Sequence, residues 1–573
     1  MPVTYAKATM ALVDTTALSE ANVISSDNQT FGNLNRFKAL DDTADYMNPG
    51  INYSVLDGSK VEMPDNITDV AFMSGAVSGA DGSFSSAPKI TISFTQNHTS
   101  PGLTLYFAGD YPEKVKISYY DQSGTWITGF TYNPDNLIFY CKGHVENYYK
   151  LIIEFPATQL PKRYVQLRFV MYGAVLDWED AQIKTAKVIE EIDESFVTIP
   201  VSTASITLVD EDEQFNITNT NGTWKNLQIN QQITISEYKD DTIIEFGVFY
   251  LKSWSFSQNL VTFQLQDVIG LLDTFNFYNG TIYHDEPAEN IVKAIMSAAR
   301  ITAFSIDDDI KNIKLSGYLK IQKCRAALKE VCIAVGAIAE RTRTGTIRIR
   351  KPMQHISSYI SPKRKFSGKT KVTYDTYVSG VKITISTYAL DANESQAFTG
   401  TLSAGTHRIE FSAPFGSGLT MTGGTIVEEH TNYAIVSVNT AGACEIKGHQ
   451  YQGTQSSISY IKTETEHGET GSIKTYTFAL TNADLVENIG KQLLSYYDLR
   501  QKMDITYLID SEKVGSWAGI QDVNGYIAST LIYKQTIDLT GGFIAQANCR
   551  GYNRVTREPY YMPEIKADGN MLI

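Results

Sequence analysis

The tightest limit on what this chain can become is an alternation, "VTFQLQD" at 261–267, in which Val261, Phe263 and Leu265 take turns with Thr262, Gln264 and Gln266. A period of two puts successive side chains on opposite faces of a strand, so the segment predicts a strand with one buried face. It closes a longer stretch, "GVFYLKSWSFSQNLVTFQLQD", that reads as strand, turn, strand. Near the other end, "NGYIASTLIYKQTIDLTGGFIAQANCR" (524–550) has the same reading. The pair predicts an internal duplication, each copy interrupted by an inserted module. A mainly β chain follows, and 34 Tyr and 25 Phe beside only 16 Pro agree with it, because aromatic side chains fit half-buried pleated surfaces.

A length of 573 residues exceeds what one core can fill and predicts several domains. Short strand patterns ("PKITISF", "GLTLYFAG", "KVKISYYD", "WITGFTYN", "YKLIIEF", "RYVQLRFVMYG") run from 88 to 172, separated by turn signals such as Asp121-Gln122-Ser123-Gly124. That spacing is expected of a β-sandwich. "DVIGLLDTF" (267–275) changes period and predicts a short helix burying Val268, Leu271 and Leu272. "DEPAENIVKAIMSAAR" predicts a helix with Pro287 in its first turn and Ile291, Ile295 and Ala298 on one face. "KCRAALKEVCIAVGAIAE" places Cys324, Leu328, Cys332 and Val335 at helical spacing, and "TIRIRKP" returns to a strand. A further helix is expected over 484–500.

Motifs that carry chemistry are missing. The eight His are isolated, and there is no H-E-x-x-H, C-x-x-C pair or G-x-S-x-G elbow. Cys324 and Cys332 read as a buried pair on one apolar face, and Asp307-Asp308-Asp309 as a solvated turn lacking the Gly and alternating oxygens of a calcium loop. "SGKT" at 367–370 imitates a phosphate loop, but Lys363 stands where that loop needs Gly. No catalytic residue, metal ligand or cofactor is therefore assigned. Five widely scattered Cys do not form a disulfide framework and suit a reducing cytoplasm. The N-terminus lacks the basic-then-apolar pattern of a secretory signal, no apolar run is long enough to span a membrane, and the N-x-[ST] triplets read as chance matches.

Charge supplies the strongest anomaly. Between 341 and 371 the chain carries ten Lys and Arg and no Asp or Glu, although its net charge is −14. That net charge argues against a general nucleic-acid binder. Three readings stand. The segment is a solvated strand face, with Ile347 and Ile349 in and Arg348 and Arg350 out; or it meets an acidic neighbour, such as 177–194 or "VDEDE" (209–213) of another subunit; or it touches passing nucleic acid. The candidate interface residues are Arg341, Arg343, Arg348, Arg350, Lys351, Lys363, Arg364 and Lys365.

Two resemblances add to this. "GLTLYFAGDYPEKVKISYYDQSGTWI" followed by "LPKRYVQLRFVMYG", with its Arg163–Leu167 edge strand, resembles the discoidin-like (galactose-binding-like) β-sandwich. "GVFYLKSWSFSQNLVTFQLQDVIGLLDTF", "EPAENIVKAIMSAARI", "LSGYLKIQKCRAALKEVCIAVGAIAE", "IRIRKP" and the terminal "GYIASTLIYKQTIDLTGGFIAQANCRG" occur in the order seen in tail-hub (baseplate hub) proteins of phages and prophages of Gram-positive bacteria. That resemblance implies two related β-barrels joined by an α/β part: 1–40 with 175–275, and 366–390 with 476–560. Inserted would be the sandwich (41–174) and a small β module (391–475), with 276–365 mixed α/β and 561–573 a tail. It implies a homotrimer in the virion tail, assembled in the host cytoplasm. Its partners would be the tail tube and distal tail proteins, the tape measure protein, tip, spike or receptor-binding proteins, and DNA in transit. The relatives' C-terminal peptidase or receptor-binding part is not expected here, so the chain is read as a structural protein and not an enzyme. Two rivals remain: a carbohydrate-binding adhesin whose sandwich takes a surface glycan, and a cell-wall hydrolase with a carboxylate pair that sequence cannot reveal.

Overall fold

The computed structural model describes residues 4–25 and 71–551, apart from 109, 220–221, 240–241, 353–355, 367, 463–470, 511, 522–526 and 541, together with 34, 54–55, 60–61, 566–567 and 570–571. Most of the first third of the expected sandwich, Ser367 of "SGKT" and most of the 561–573 tail lie outside the described residues. Within them the chain is mainly β and divides into two compact units.

The smaller unit takes the described residues of 8–178 and 210–233. Seven of its strands form one hydrogen-bonded sheet, in which Lys89–Phe107 and Ile138–Thr158 are the long members. The expected strands at 88–94 and 102–109 are thus one strand, whose pairing register shifts between Ser93 and Gly102. Such irregularities bend a strand. Both arms bury a common core, with Ile90 and Ile92 on one side of the break and Leu103, Leu105 and Phe107 on the other. His98 sits in this bend, 5% exposed, with Nδ1 2.8 Å from Asp14 and Nε2 3.4 Å from Glu20.

The larger unit takes the described residues of 1–7, 179–209 and 234–573. Its principal sheet runs Gln232–Lys239, Thr242–Ser257, Leu260–Gln266, Thr203–Val209, Ile183–Glu191, Ile527–Asp538, Ile544–Gly551, Gln501–Leu508, Lys371–Tyr374. Val261, Phe263 and Leu265 are buried as the alternation requires. Among the described residues no sheet closes on itself. The expected barrels give way to one open sheet because Lys187–Glu191, the last strand of the first copy, pairs with Lys534–Asp538 of the second instead of curling back.

Between the copies lies an α/β core. Helices Ala288–Ala298 and Cys324–Val335 bury Ile291, Ile295, Cys324, Leu328, Cys332 and Val335 against a small sheet of Phe304–Ile306, Ile338–Arg341 and Ile347–Arg350. Val268–Leu271 is the short helix foreseen, but Ile269 is buried where Leu271 was expected, and Leu271 is only half-buried. The Asp267 carboxylate caps it, accepting from Ser202 N at 2.8 Å and Gly270 N at 3.1 Å. Paired strands Val378–Leu402 and Gly442–Ile461 carry a separate small core of Ile409, Phe411, Phe415 and Val436. Helix Val486–Tyr497 packs on the base of this pair through Val486, Ile489 and Leu493.

Candidate functional site

Strand register turns the suspected duplication into a residue-by-residue equivalence. In the first copy Leu251 pairs with Leu265 and Ser253 with Gln264, leaving Lys252 as a bulge. In the second, Ile532 pairs with Cys549 and Lys534 with Asn548, leaving Tyr533 as the bulge. Gln264 faces Ser205, as Asn548 faces Asp504. Ser205 in turn faces Lys187, and Asp504 faces Lys371. "KVIE" at 187–190 is therefore equivalent to "KVTY" at 371–374, and "SITLV" at 205–209 to "DITYL" at 504–508.

The basic segment lies where the two copies meet. Arg343 makes a two-pronged contact with Glu190, Nε and Nη2 each 3.0 Å from a carboxylate oxygen. Arg341 donates to Glu190 at 3.2 Å and to the Phe246 carbonyl at 2.9 Å, with its guanidinium 4.3 Å from the Phe249 ring centre. Arg350 grips Glu340 at 2.7 and 2.8 Å and reaches the Gly515 carbonyl at 3.4 Å. Arg348 forks onto Asp307, both contacts 3.0 Å. Arg364 donates to the Leu508 and Tyr359 carbonyls and to Glu512 at 2.8 Å. Lys351 Nζ donates to the Val335 carbonyl. Lys365 is half-buried in a bridge to Tyr507, and Lys363 is exposed.

The acidic partner inside 177–194 is thus Glu190 of the same chain, and the segment ties the first copy (Glu190, Phe246) to the second (Gly515, Leu508, Glu512). Ile347 and Ile349 point inward as expected, but Arg350, expected to point out, is 3% exposed because Glu340 on the neighbouring strand receives it. Asp307 and Asp308 are engaged by Arg348 and Lys311 respectively.

Burial and charge work against each other here. Burial would raise the Glu190 carboxyl, yet the Arg343 and Arg341 guanidiniums hold it below the usual carboxylate range. Burial raises Asp267 to about 6, with Arg341 and backbone donors opposing. Desolvation lowers Arg341. A cleft of about 320 Å³ opens beside the cluster, lined among others by Arg343, Arg348, Lys513 and Trp517. Its guanidiniums are already matched by carboxylates, so the cluster holds strands together. Among the described residues no group of three His, Cys, Asp or Glu could hold a metal ion. No helix among them is long and apolar enough to cross a membrane.

Sequence reading missed the acids Glu190, Asp307, Glu340 and Glu512 as partners within the chain. It placed 371–374 in the span of the second copy (366–390) but missed that strand's equivalence to 187–190 and its exposure at all four residues. The Lys-Val pair shared by 187–188 and 371–372 is the signal that could have found it.

No family model matches the sequence, and no curated protein matches it. Among solved structures, the tail protein from Neisseria meningitidis MC58 aligns at 11% identity over 66% of this chain and 95% of its own, with a TM-score of 0.39. The 43 kDa tail protein of prophage MuSo2 from Shewanella oneidensis aligns at 8% identity over 66% and 96%, TM-score 0.39. Prophage tail protein gp18 from Listeria monocytogenes EGD-e aligns at 10% identity over 66% and 92%, TM-score 0.37.

Proposed function

We propose that this chain is a structural protein of a phage or phage-tail-like particle, a tail hub without catalytic activity. Three copies would form a ring joining a sixfold tail tube to a threefold tip and lining the channel for tape measure and DNA. The observation that carries this reading is the duplicated sheet module, matched in strand order, register and bulge position. Two equivalent modules per chain give six in a ring of three, which lets threefold and sixfold neighbours share one component. The motif order along the sequence supports the same family. Each module is interrupted, the first by the segment that includes 71–173 and the second by the paired strands of 378–461 with their small core. Of the eight basic residues, exposed Lys363 and part-exposed Arg348 are best placed to meet a neighbour, the other arginines serving the joint inside the chain.

Native mass spectrometry with electron microscopy of the purified chain tests the reading. A trimeric ring with pseudo-sixfold symmetry is expected. A monomer at every concentration, alone and with its tail tube protein, would overturn it.

A further inference from the structure

One joint inside the chain is complete and its equivalent is not. In the complete joint, Lys187, Val188, Ile189 and Glu190 pair antiparallel with Asp538, Ile537, Thr536 and Gln535. Both sides are sealed: Val188, Ile537 and Gln535 are 0% exposed and Glu190 4%. The strand equivalent to 187–190 is Lys371–Tyr374, which ends the sheet and pairs only with Gln501–Asp504 among the described residues. Val372, the counterpart of Val188, is 54% exposed, and Tyr374, the counterpart of Glu190, is 51% exposed.

The matching acceptor edge is also bare. Strand Ile527–Asp538 is covered over 527–531 by Trp517–Gln521, leaving 534–538 for the first copy's strand. Its counterpart Thr242–Ser257 is 16 residues long, and the neighbour Gln232–Lys239, which precedes it closely in the sequence, has 8. Eight residues cover only half of sixteen, and chain continuity sets them against the half nearest in sequence. Residues 253–257 then pair on one side with Leu260–Gln264, and no described strand occupies the other side. Ser253, Ser255 and Ser257 are exposed, and Trp254 and Phe256 are half-buried where their counterparts Gln535 and Ile537 are fully covered.

We infer that Lys371–Tyr374 of one copy of this chain pairs antiparallel with Trp254–Ser257 of a second copy, repeating between chains the joint made within the chain. The internal register fixes the external one: Lys371 opposite Ser257, Val372 opposite Phe256, Thr373 opposite Ser255, Tyr374 opposite Trp254. Both edges carry the backbone groups an added strand needs. The contact is head-to-tail, the type that generates a ring when its rotation closes. This names the subunit contact of the ring and rests on that reading.

The test is a disulfide. Directly opposed residues of an antiparallel pair lie close enough to be bridged. The five native Cys are buried, so background crosslinking is low. A chain carrying Val372→Cys and Phe256→Cys is expected to give covalent oligomers under mild oxidation, whereas Val372→Cys with Ser253→Cys gives none. Thr373→Pro, which spoils an edge strand without touching the core, is expected to leave folded monomers with unchanged thermal unfolding. Rings that assemble without the 256–372 bridge, or that survive Thr373→Pro, overturn this contact and leave the ring standing. Monomers throughout, the parent chain included, overturn both.

Discussion

The strands Lys187–Glu191 and Lys371–Tyr374 occupy the same place in two copies of one module, and their surroundings could hardly differ more. The first is covered by a partner strand, and its Glu190 is clamped by two arginines. The second is exposed along its length, its Tyr374 ring stacked against Arg500 at 4.4 Å. Equal backbone position therefore does not mean equal chemistry. Where a partner strand is present, a buried ion pair can be kept; at the uncovered edge, the uncharged Tyr374 in the place of Glu190 avoids stranding a carboxylate if a strand is added. Disturbing the first strand should cost folding, and disturbing the second should cost assembly.

The largest effect is expected at Glu190. With the carboxylate gone, Arg341, 4% exposed at its side chain, and Arg343, 13% exposed, lose their shared counter-ion. Removing one member of a buried pair costs about 3–5 kcal/mol. Glu190→Ala should lower unfolding stability by that amount in urea titration, while Tyr374→Ala changes it by under about 0.5 kcal/mol. Equal losses at the two positions would erase the contrast.

Next comes Gly247, at φ +107° with an added Cβ 2.3 Å from the Arg343 carbonyl and 2.6 Å from Arg341 Nη1. This is a close approach of backbone to the clamp that other side chains block. Gly247→Ala should cost about 1–3 kcal/mol in the same titration. Much of that cost should persist in a Glu190→Ala background, because φ +107° strains any side chain and the Arg343 carbonyl belongs to the backbone.

Much of this fold was legible in the sequence. Period-two alternation gave Val261, Phe263 and Leu265 their buried face, and helical spacing gave Cys324, Leu328 and Cys332 theirs. The duplication was visible as strand-turn-strand patterning, but which strand follows which in the sheet was not. Lys187–Glu191 and Lys534–Asp538 lie more than three hundred residues apart, and period alone leaves a strand's partner unspecified. The charge anomaly at 341–371 was equally plain, whereas the cis acids Glu190 and Asp307 come from other segments brought near only by the fold. Side-chain pairing is spatial, so a run of like charge indicates that partners exist and says nothing of whose they are.

A pH-dependent effect belongs to the first copy. Glu237 is fully buried; burial, with a smaller contribution from Asp180, raises its carboxyl to about 8 while the Thr4 hydroxyl opposes. Because its folded value exceeds the unfolded one, near 4.3, the folded chain binds the extra proton between them. Stability from this group is present below about pH 4 and is lost as pH rises towards 8. Glu237→Gln should therefore match the parent chain near pH 4 and exceed it by on the order of 2 kcal/mol at pH 8.5. Parallel stability curves would show that Glu237 is charged in the folded state.

The smallest effect should come from the forked pair of this cluster that solvent reaches. Arg348 and Asp307 are 38% and 32% exposed at their side chains, unlike Arg343 and Glu190 at 13% and 5%. Both pairs have the same two-pronged geometry at 3.0 Å, so they separate the role of burial from the role of contact. Water screens the exposed pair and re-solvates whichever partner is left alone, and such pairs contribute about 0.2–1 kcal/mol. Asp307→Asn should lose no more than that, and raised salt should shrink the loss further. A cost at Asp307 comparable to that at Glu190 would mean that geometry, and not desolvation, sets the strength of this cluster.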